Sequence, residues 1–209
     1  MSVAILLGGA SRRMGRDKAQ LRVGGVAAAT RLARTCQALF AEVLLVGGDP
    51  PRDAPGRRIP DPPGPGSPLR GLVAALQAAH GRRVLVVATD LLLVTPDLLL
   101  ALVAWPEADA VVPRSRDGAQ PLCALYRTDA VLPLARRRLA SEERSLHGLL
   151  DALSEVAFLE EDDLREVDPA GTALTNVNTP EEFERARAAL DGGAVSDAGL
   201  HPSEPRGNG

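Results

Sequence analysis

The stretch "VAILLGGASRRMGRDKAQL", Val3–Leu21, frames the reading of the whole chain. Val3–Leu7 is an apolar run with no polar alternation, closed by Gly8-Gly9. A short run of that kind is the pattern of a strand buried on both faces, as in a parallel sheet. Immediately after it come Gly8, Gly9 and Gly15 among three arginines and a lysine. Glycines let backbone N–H groups approach an anion closely and tolerate positive φ. The added cations suit a polyphosphate. Lys18 is the only lysine in 209 residues, although arginine is abundant. A compact ammonium differs chemically from a flat, forked guanidinium, so Lys18 and Arg13 become candidate phosphate ligands. The spacing is neither the GxxxxGK[ST] of a P-loop nor the GxGxxG of a dinucleotide site.

The same grammar continues downstream. Val26–Phe40 has helical spacing, and Glu42–Val46 is a second buried strand closed by Gly47-Gly48. "RRIPDPPGPGSPLRG" (Arg57–Gly71) opens as a short extended piece and becomes a Pro/Gly-rich loop leading into a helix over Pro68–His80. "RRVLVVATD" (Arg82–Asp90) reads as a central strand with Asp90 at its carboxyl end, followed by a helix over Pro96–Ala104 and a strand over Ala108–Val112. Gln120–Tyr126 reads as a strand running into a helix, Ser145–Leu153 as a short helix and Ser154–Leu159 as a strand. In "NVNTPEEFERARAAL", Thr179 and Glu182 make a capping box, Pro180 takes the first helical position, and Phe183, Ala186 and Leu190 form the inner stripe. Residues 1–190 form the domain, and residues 191–209 read as a disordered tail. Alternating strands and helices predict a single Rossmann-like α/β domain with a mostly parallel sheet and helices on both faces. Ligands of such sheets lie beyond the strand carboxyl ends, which directs attention to the loops after the first, second and fourth strands.

Composition narrows the function. A net charge of −3 leaves no electrostatic footprint for nucleic acid or an anionic membrane. Two cysteines, Cys36 and Cys123, are too few for a disulfide framework and read as small buried hydrophobes. "LLLVTPDLLLALVAW" (Leu91–Trp105) is shorter than the roughly 20 residues of a spanning helix and is interrupted by Pro96 and Asp97. No leader-like segment precedes the first strand, so the expectation is a cytoplasmic enzyme.

Four further candidates each carry two readings. Asp90 is either a hard oxygen ligand for a cation or a turn former at a strand end. Asp61, within "PDPP", contacts a ligand or shapes a turn. Asn176 and Asn178 belong to a site or set the turn before the capped helix. Gln120 is an acceptor-side contact or a plain strand end. His80, His147 and His201 are scattered outside these motifs, and no general base stands out.

"LLGGASRRMGRDKAQL" resembles the L-x-G-G-x-S-x-R-M-G-x-D-K signature of the MobA-type molybdenum cofactor guanylyltransferases, within the nucleotidyltransferase superfamily. The likeness continues through "PDPPGPGSPLRGL", "VLVVATD", "QPLCALY" and "NVNTPEEF", and covers about residues 2–190. The resemblance implies transfer of GMP from GTP to the phosphate of molybdopterin, with release of pyrophosphate and with Mg²⁺ as cofactor. It also implies that Leu6, Leu7, Gly8 and Gly9 line the guanine site. Arg13 and Lys18 would hold the phosphates, Asp61 the nucleoside, Asp90 the Mg²⁺, and Asn176 and Asn178 the acceptor side. Handover of a pterin cofactor further implies transient contact with proteins that deliver molybdopterin or mature molybdoenzymes.

Four positions depart from the family pattern. Leu7 stands where the family has Ala, and Ser67 takes the glycine place of G-P-L-x-G. "DLLLVTPDL" displaces the proline after the metal aspartate, and "VGGDPP" offers Asp49 in place of a guanosine-contacting Asn. Cytidylyl transfer to the same cofactor, transfer to another phosphorylated acceptor, and a nucleotide-binding module without turnover therefore stay open as alternatives.

Overall fold

The computed structural model describes residues 1–7, 18–60 and 64–193. Gly8, Gly9, Arg13 and Asp61 lie outside these residues, as does the chain from 194 onward. The strands in chain order are β1 (Ser2–Leu6), β2 (Arg22–Val23), β3 (Val26–Ala27), β4 (Glu42–Val46), β5 (Arg57–Ile59), β6 (Arg83–Ala88), β7 (Ala110–Ser115), β8 (Gly118–Ala119), β9 (Cys123–Arg127) and β10 (Val156–Leu159). The helices are α1 (Ala28–Leu39), α2 (Pro68–Ala78), α3 (Pro96–Ala104), α4 (Thr128–Ala140), α5 (Leu146–Asp151), α6 (Glu161–Val167) and α7 (Pro180–Gly193).

Among the described residues the main sheet runs β10-β7-β9-β6-β1-β4-β5, with β8 paired to β7, while β2 and β3 form a separate hairpin. β1 lies parallel between β4 and β6, with Leu6 facing Val46 on one side and Ala88 on the other. β9 runs antiparallel to both β6 and β7, and β10 is parallel to β7. The mostly parallel sheet expected from the sequence is therefore present, with one reversed strand inside it. Because β1, β4, β5, β6, β7 and β10 point the same way, their carboxyl ends share one rim.

The helices divide between the two faces for a topological reason. The chain leaves β1 toward β4 and later crosses back from β5 to β6. Right-handed crossovers in opposite directions deposit their helices on opposite sides. Val3, Ile5 and Leu7 accordingly pack with α1, α3 and α6, whereas Ala4 and Leu6 pack with α2, α4 and α5. The unbroken apolar run of β1 is explained by this, since both of its sides are core. Both cysteines are buried, and burial pushes each thiol up to about 12.

Three details differ from the sequence reading. α7 continues through Gly193, past the expected boundary at 190. Val26–Ala27 belong to a hairpin strand, and the first helix starts at Ala28. α6 was not foreseen: its seven residues are mostly charged, and only Leu164 is buried. No helix among the described residues is long and apolar enough to cross a membrane.

Candidate functional site

The site is assembled where the carboxyl ends of β1, β4 and β6 meet. The Thr89 N–H donates to the Leu6 carbonyl at 3.2 Å, and the Thr89 hydroxyl donates to the same oxygen at 3.3 Å. On the other side the Leu7 N–H donates to the Val46 carbonyl at 2.9 Å. These bonds clamp the exit of β1 between its neighbours. Leu6 and Leu7 are therefore held between Thr89 on one flank and Val46 and Gly48 on the other. The Leu6 carbonyl and the Leu7 N–H serve the sheet, so they organise the rim.

Leu7 itself explains one departure from the family pattern. Its side chain is buried in the core of the α1 face. A Cβ placed on Gly48 would stand 3.2 Å from the Leu7 Cβ, and Gly48 has φ +56°. Glycine at 48 thus leaves room for the Cβ and carbonyl of residue 7, whichever side chain it carries, and supplies the left-handed turn. The extra bulk of Leu7 is taken up in the core.

Lys18 opens a single 3₁₀ turn, Lys18–Gln20. The Gln20 side-chain amide donates to the Asp49 carbonyl at 2.9 Å, which ties this turn to the loop after β4. Ala19 is fully buried in the α1-face core. The backbone around Lys18 is thus fixed to the same rim from two directions.

Asp90 is half-buried just past β6. Its carbonyl accepts from the Val177 N–H at 2.9 Å. This bond sets the Asn176-Val177-Asn178 segment directly against the loop that carries Asp90. The segment is held from its other end by the cap of α7. The Glu182 carboxylate accepts from the Asn178 N–H at 2.6 Å and the Thr179 N–H at 2.9 Å, while the Thr179 hydroxyl accepts from the Glu182 N–H at 3.2 Å. The N–H groups of Asn178 and Thr179 hold the Glu182 carboxyl below the usual carboxylate range. The capping box read from the sequence is present, with one extra backbone donor.

The remaining departures also find local causes. Ser67 caps α2, its hydroxyl accepting from the Arg70 N–H at 3.2 Å. The leucines after Asp90 are not surplus. Leu91 is in the α1-face core, and Leu92 and Leu93 pack with Val23, Val177 and Phe183 beneath α7. Thr95 then caps α3 by accepting from the Leu98 N–H at 3.3 Å. Asp49 is exposed, and its main chain serves Gln20.

Along the same rim lies a cavity of about 550 Å³ between the β7–β8 hairpin, Gln120, α6 and residues 168–176. Its lining includes Gln120 and Asn176 together with Asp168, which the sequence reading passed over. The signal for Asp168 was there in "DPAG", a turn sequence, but nothing local says that the turn walls a cavity. His80 bonds to Glu42 at the opposite rim, and His147 lies 3.3 Å from the Ala119 carbonyl. Neither sits beside Asp90.

Could this rim hold a cation? Among the described residues no group of three or more His, Cys, Asp or Glu side chains is placed to bind one. Asp90 offers a single hard oxygen donor group. That donor set fits Mg²⁺, which keeps several waters and takes substrate phosphates alongside one or two carboxylates. It does not fit a structural zinc site.

Residues 3–156 match the family described as "MobA-like NTP transferase domain". Two proteins, from Chloroflexus aggregans and Pelotomaculum thermopropionicum, each named "Probable molybdenum cofactor guanylyltransferase", are 39% and 36% identical to this chain. The first match covers 91% of this chain and 95% of the relative, and the second 90% and 92%. The crystal structure of molybdopterin-guanine dinucleotide biosynthesis protein A from Archaeoglobus fulgidus is similar at a TM-score of 0.77 and 25% identity, over 92% of this chain and 100% of that one. With matches of this breadth over a sheet whose strand ends converge on one rim, the chain belongs to the MobA-like NTP transferase family.

Proposed function

We propose that this protein transfers GMP from GTP to the terminal phosphate of molybdopterin, releasing pyrophosphate. The observation that carries the reading is the convergence on one rim of the β1 exit, Asp90 and the Asn176–Asn178 segment, through the bonds of Thr89 to Leu6 and of Val177 to Asp90. The guanylyltransferase names of the relatives support the choice of nucleotide and acceptor.

The chemistry asks little of proton transfer. A phosphate oxygen of the acceptor attacks the α-phosphorus of GTP. The bond from that phosphorus to the bridging oxygen breaks, and pyrophosphate leaves with the electron pair. The attacking phosphate is already ionised, so no general base is required, in keeping with the position of His80 and His147 away from Asp90. What the protein supplies is alignment of two anions and neutralisation of their charge. Lys18 and Arg13 are assigned to the triphosphate, and Gly8, Gly9 and Asp61 to the nucleoside side. Leu6 and Leu7 act by fixing the strand end from which that loop departs. Asp90 would hold a divalent cation, assigned as Mg²⁺, which would supply positive charge against the phosphates. Asn176 and Asn178 face the acceptor.

The test is incubation of the full chain with each of the four NTPs, Mg²⁺ and molybdopterin-loaded acceptor protein, reading pyrophosphate and the mass of the released pterin. Turnover with GTP and a pterin heavier by one GMP is the expected result. Turnover with CTP and not GTP would overturn the nucleotide assignment.

A further inference from the structure

The 550 Å³ cavity beside Asn176 has the size of a small-molecule site, and its walls carry polar groups that the fold leaves unused. Asp168 is nine-tenths buried at the end of α6. Its Oδ2 accepts from the Ala173 N–H at 2.8 Å, while Oδ1 has no hydrogen bond among the described residues. The side-chain amides of Gln120 and Asn176 line the same space and likewise make no hydrogen bond among the described residues. One carboxylate oxygen and two half-buried amides thus face one void with bonding capacity left for a ligand.

Charge excludes the cavity as the seat of a phosphate. Asp117, Glu161 and Asp168 line it, against Arg116 and Arg165. Arg165 is already bonded to Asp162 and Glu161. The space favours a neutral, flat, hydrogen-bonding heterocycle. Asn176 in its wall precedes Val177, whose N–H donates to the Asp90 carbonyl, so this wall is continuous with the loop that carries Asp90.

Resting on the reading that the acceptor is a pterin phosphate, we infer that Asp168 selects the acceptor by receiving the paired N–H donors of its 2-amino-4-oxopyrimidine edge. A carboxylate is acceptor-only: Oδ1 can take one of the adjacent ring N–H and amino donors, while Oδ2, already accepting from Ala173, keeps a second lone pair for the other. Gln120 and Asn176 each carry a donor and an acceptor for the ring carbonyl and nitrogens. A pteridine with a carbonyl in place of the amino group would set an oxygen against Asp168 and be rejected by repulsion.

Asp168→Asn tests this directly. The asparagine oxygen can still accept from Ala173, while its NH₂ now faces the cavity, so the turn is kept and the hydrogen-bond polarity is reversed. Titration of the full-length protein with pterin and with lumazine (the 2-oxo analogue), followed by their intrinsic fluorescence, should show the wild type preferring pterin. Asp168→Asn should weaken pterin binding by about 10- to 100-fold and shift the preference toward lumazine, as expected for lost hydrogen bonds to a charged group. The KM for GTP should not change. Gln120→Ala, at a position whose side chain the fold does not use, should weaken pterin by several fold and leave the melting temperature unaltered. Pterin binding that is absent in the wild type, or equal in the wild type and both variants, overturns the inference. If GTP yields no pyrophosphate while pterin binding still depends on Asp168, the guanylyl reading fails and the pterin site stands.

Discussion

Among single residues, the charged ones at the rim and the glycine beside them make different demands. Lys18 is assigned to the triphosphate itself and Asp90 to a cation, so their variants should fail in different ways. Lys18→Ala should lower kcat/KM for GTP by about 10²–10³, the scale on which one preorganised charge contributes at a transition state. Asp90→Asn should raise the Mg²⁺ concentration needed for half-maximal turnover, and an unaltered metal titration would remove it as a ligand. Gly48→Ala tests the fold. It places a Cβ 3.2 Å from the Leu7 Cβ at φ +56°. The combined strain should cost about 1–2 kcal/mol in a denaturant melt, with activity falling as the β1 exit shifts.

At the level of elements, α7 works as a brace. Its N-terminal box holds the Asn178 and Thr179 N–H groups, Val177 reaches Asp90, and Phe183 and Ala186 pack on the hairpin residue Val23. One helix thereby joins the acceptor-side segment, the loop after β6 and the hairpin that follows Lys18. Thr179→Ala should cost about 1 kcal/mol, as loss of a cap commonly does. Hydrogen exchange should rise at Val177–Glu182 more than at β6. Protection left unchanged there would mean that the cap does not hold the segment. The polar half of this brace was readable as T-P-E-E. Its docking surface was not, because Leu92 and Leu93 contact it from a loop far away in sequence.

Across the whole molecule, the two rims of the sheet have different duties. The amino-end rim is tied by Glu42, whose Oε1 accepts from Arg57 at 2.7 Å and pairs with His80 at 3.0 Å. Its Oε2 accepts from the Ser2 hydroxyl at 2.6 Å and the His80 N–H at 3.0 Å. Burial pushes this carboxyl up, but the bonds from Arg57, Ser2 and His80 outweigh that and hold it down, from 4.5 to about 2. A lowered folded-state value stabilises the protein above about pH 4.5, and that contribution disappears as pH falls toward 2. Glu42→Gln should therefore lower stability by about 1–2 kcal/mol at neutral pH. It should also flatten the loss of stability between pH 5 and 2 in acid titrations monitored by circular dichroism. A slope equal to the wild type would show that other carboxylates govern acid unfolding.

The local code was sufficient for β1, β4, β6, α3 and the cap of α7. In each, apolar run length, a closing glycine or a cap residue sets the element, and these are interactions between near neighbours in the chain. The rim position of Asp90 also followed from the alternation of strands and helices, whereas a site role for Asn176 and Asn178 came only from the family resemblance. Folding in three dimensions settled the rest: the reversal of β9 inside a parallel sheet, the packing of α7 on the leucines after Asp90, and the cavity walled by Asp168. Those features rest on contacts between residues distant in sequence, where pairing partners compete and no local pattern announces the winner.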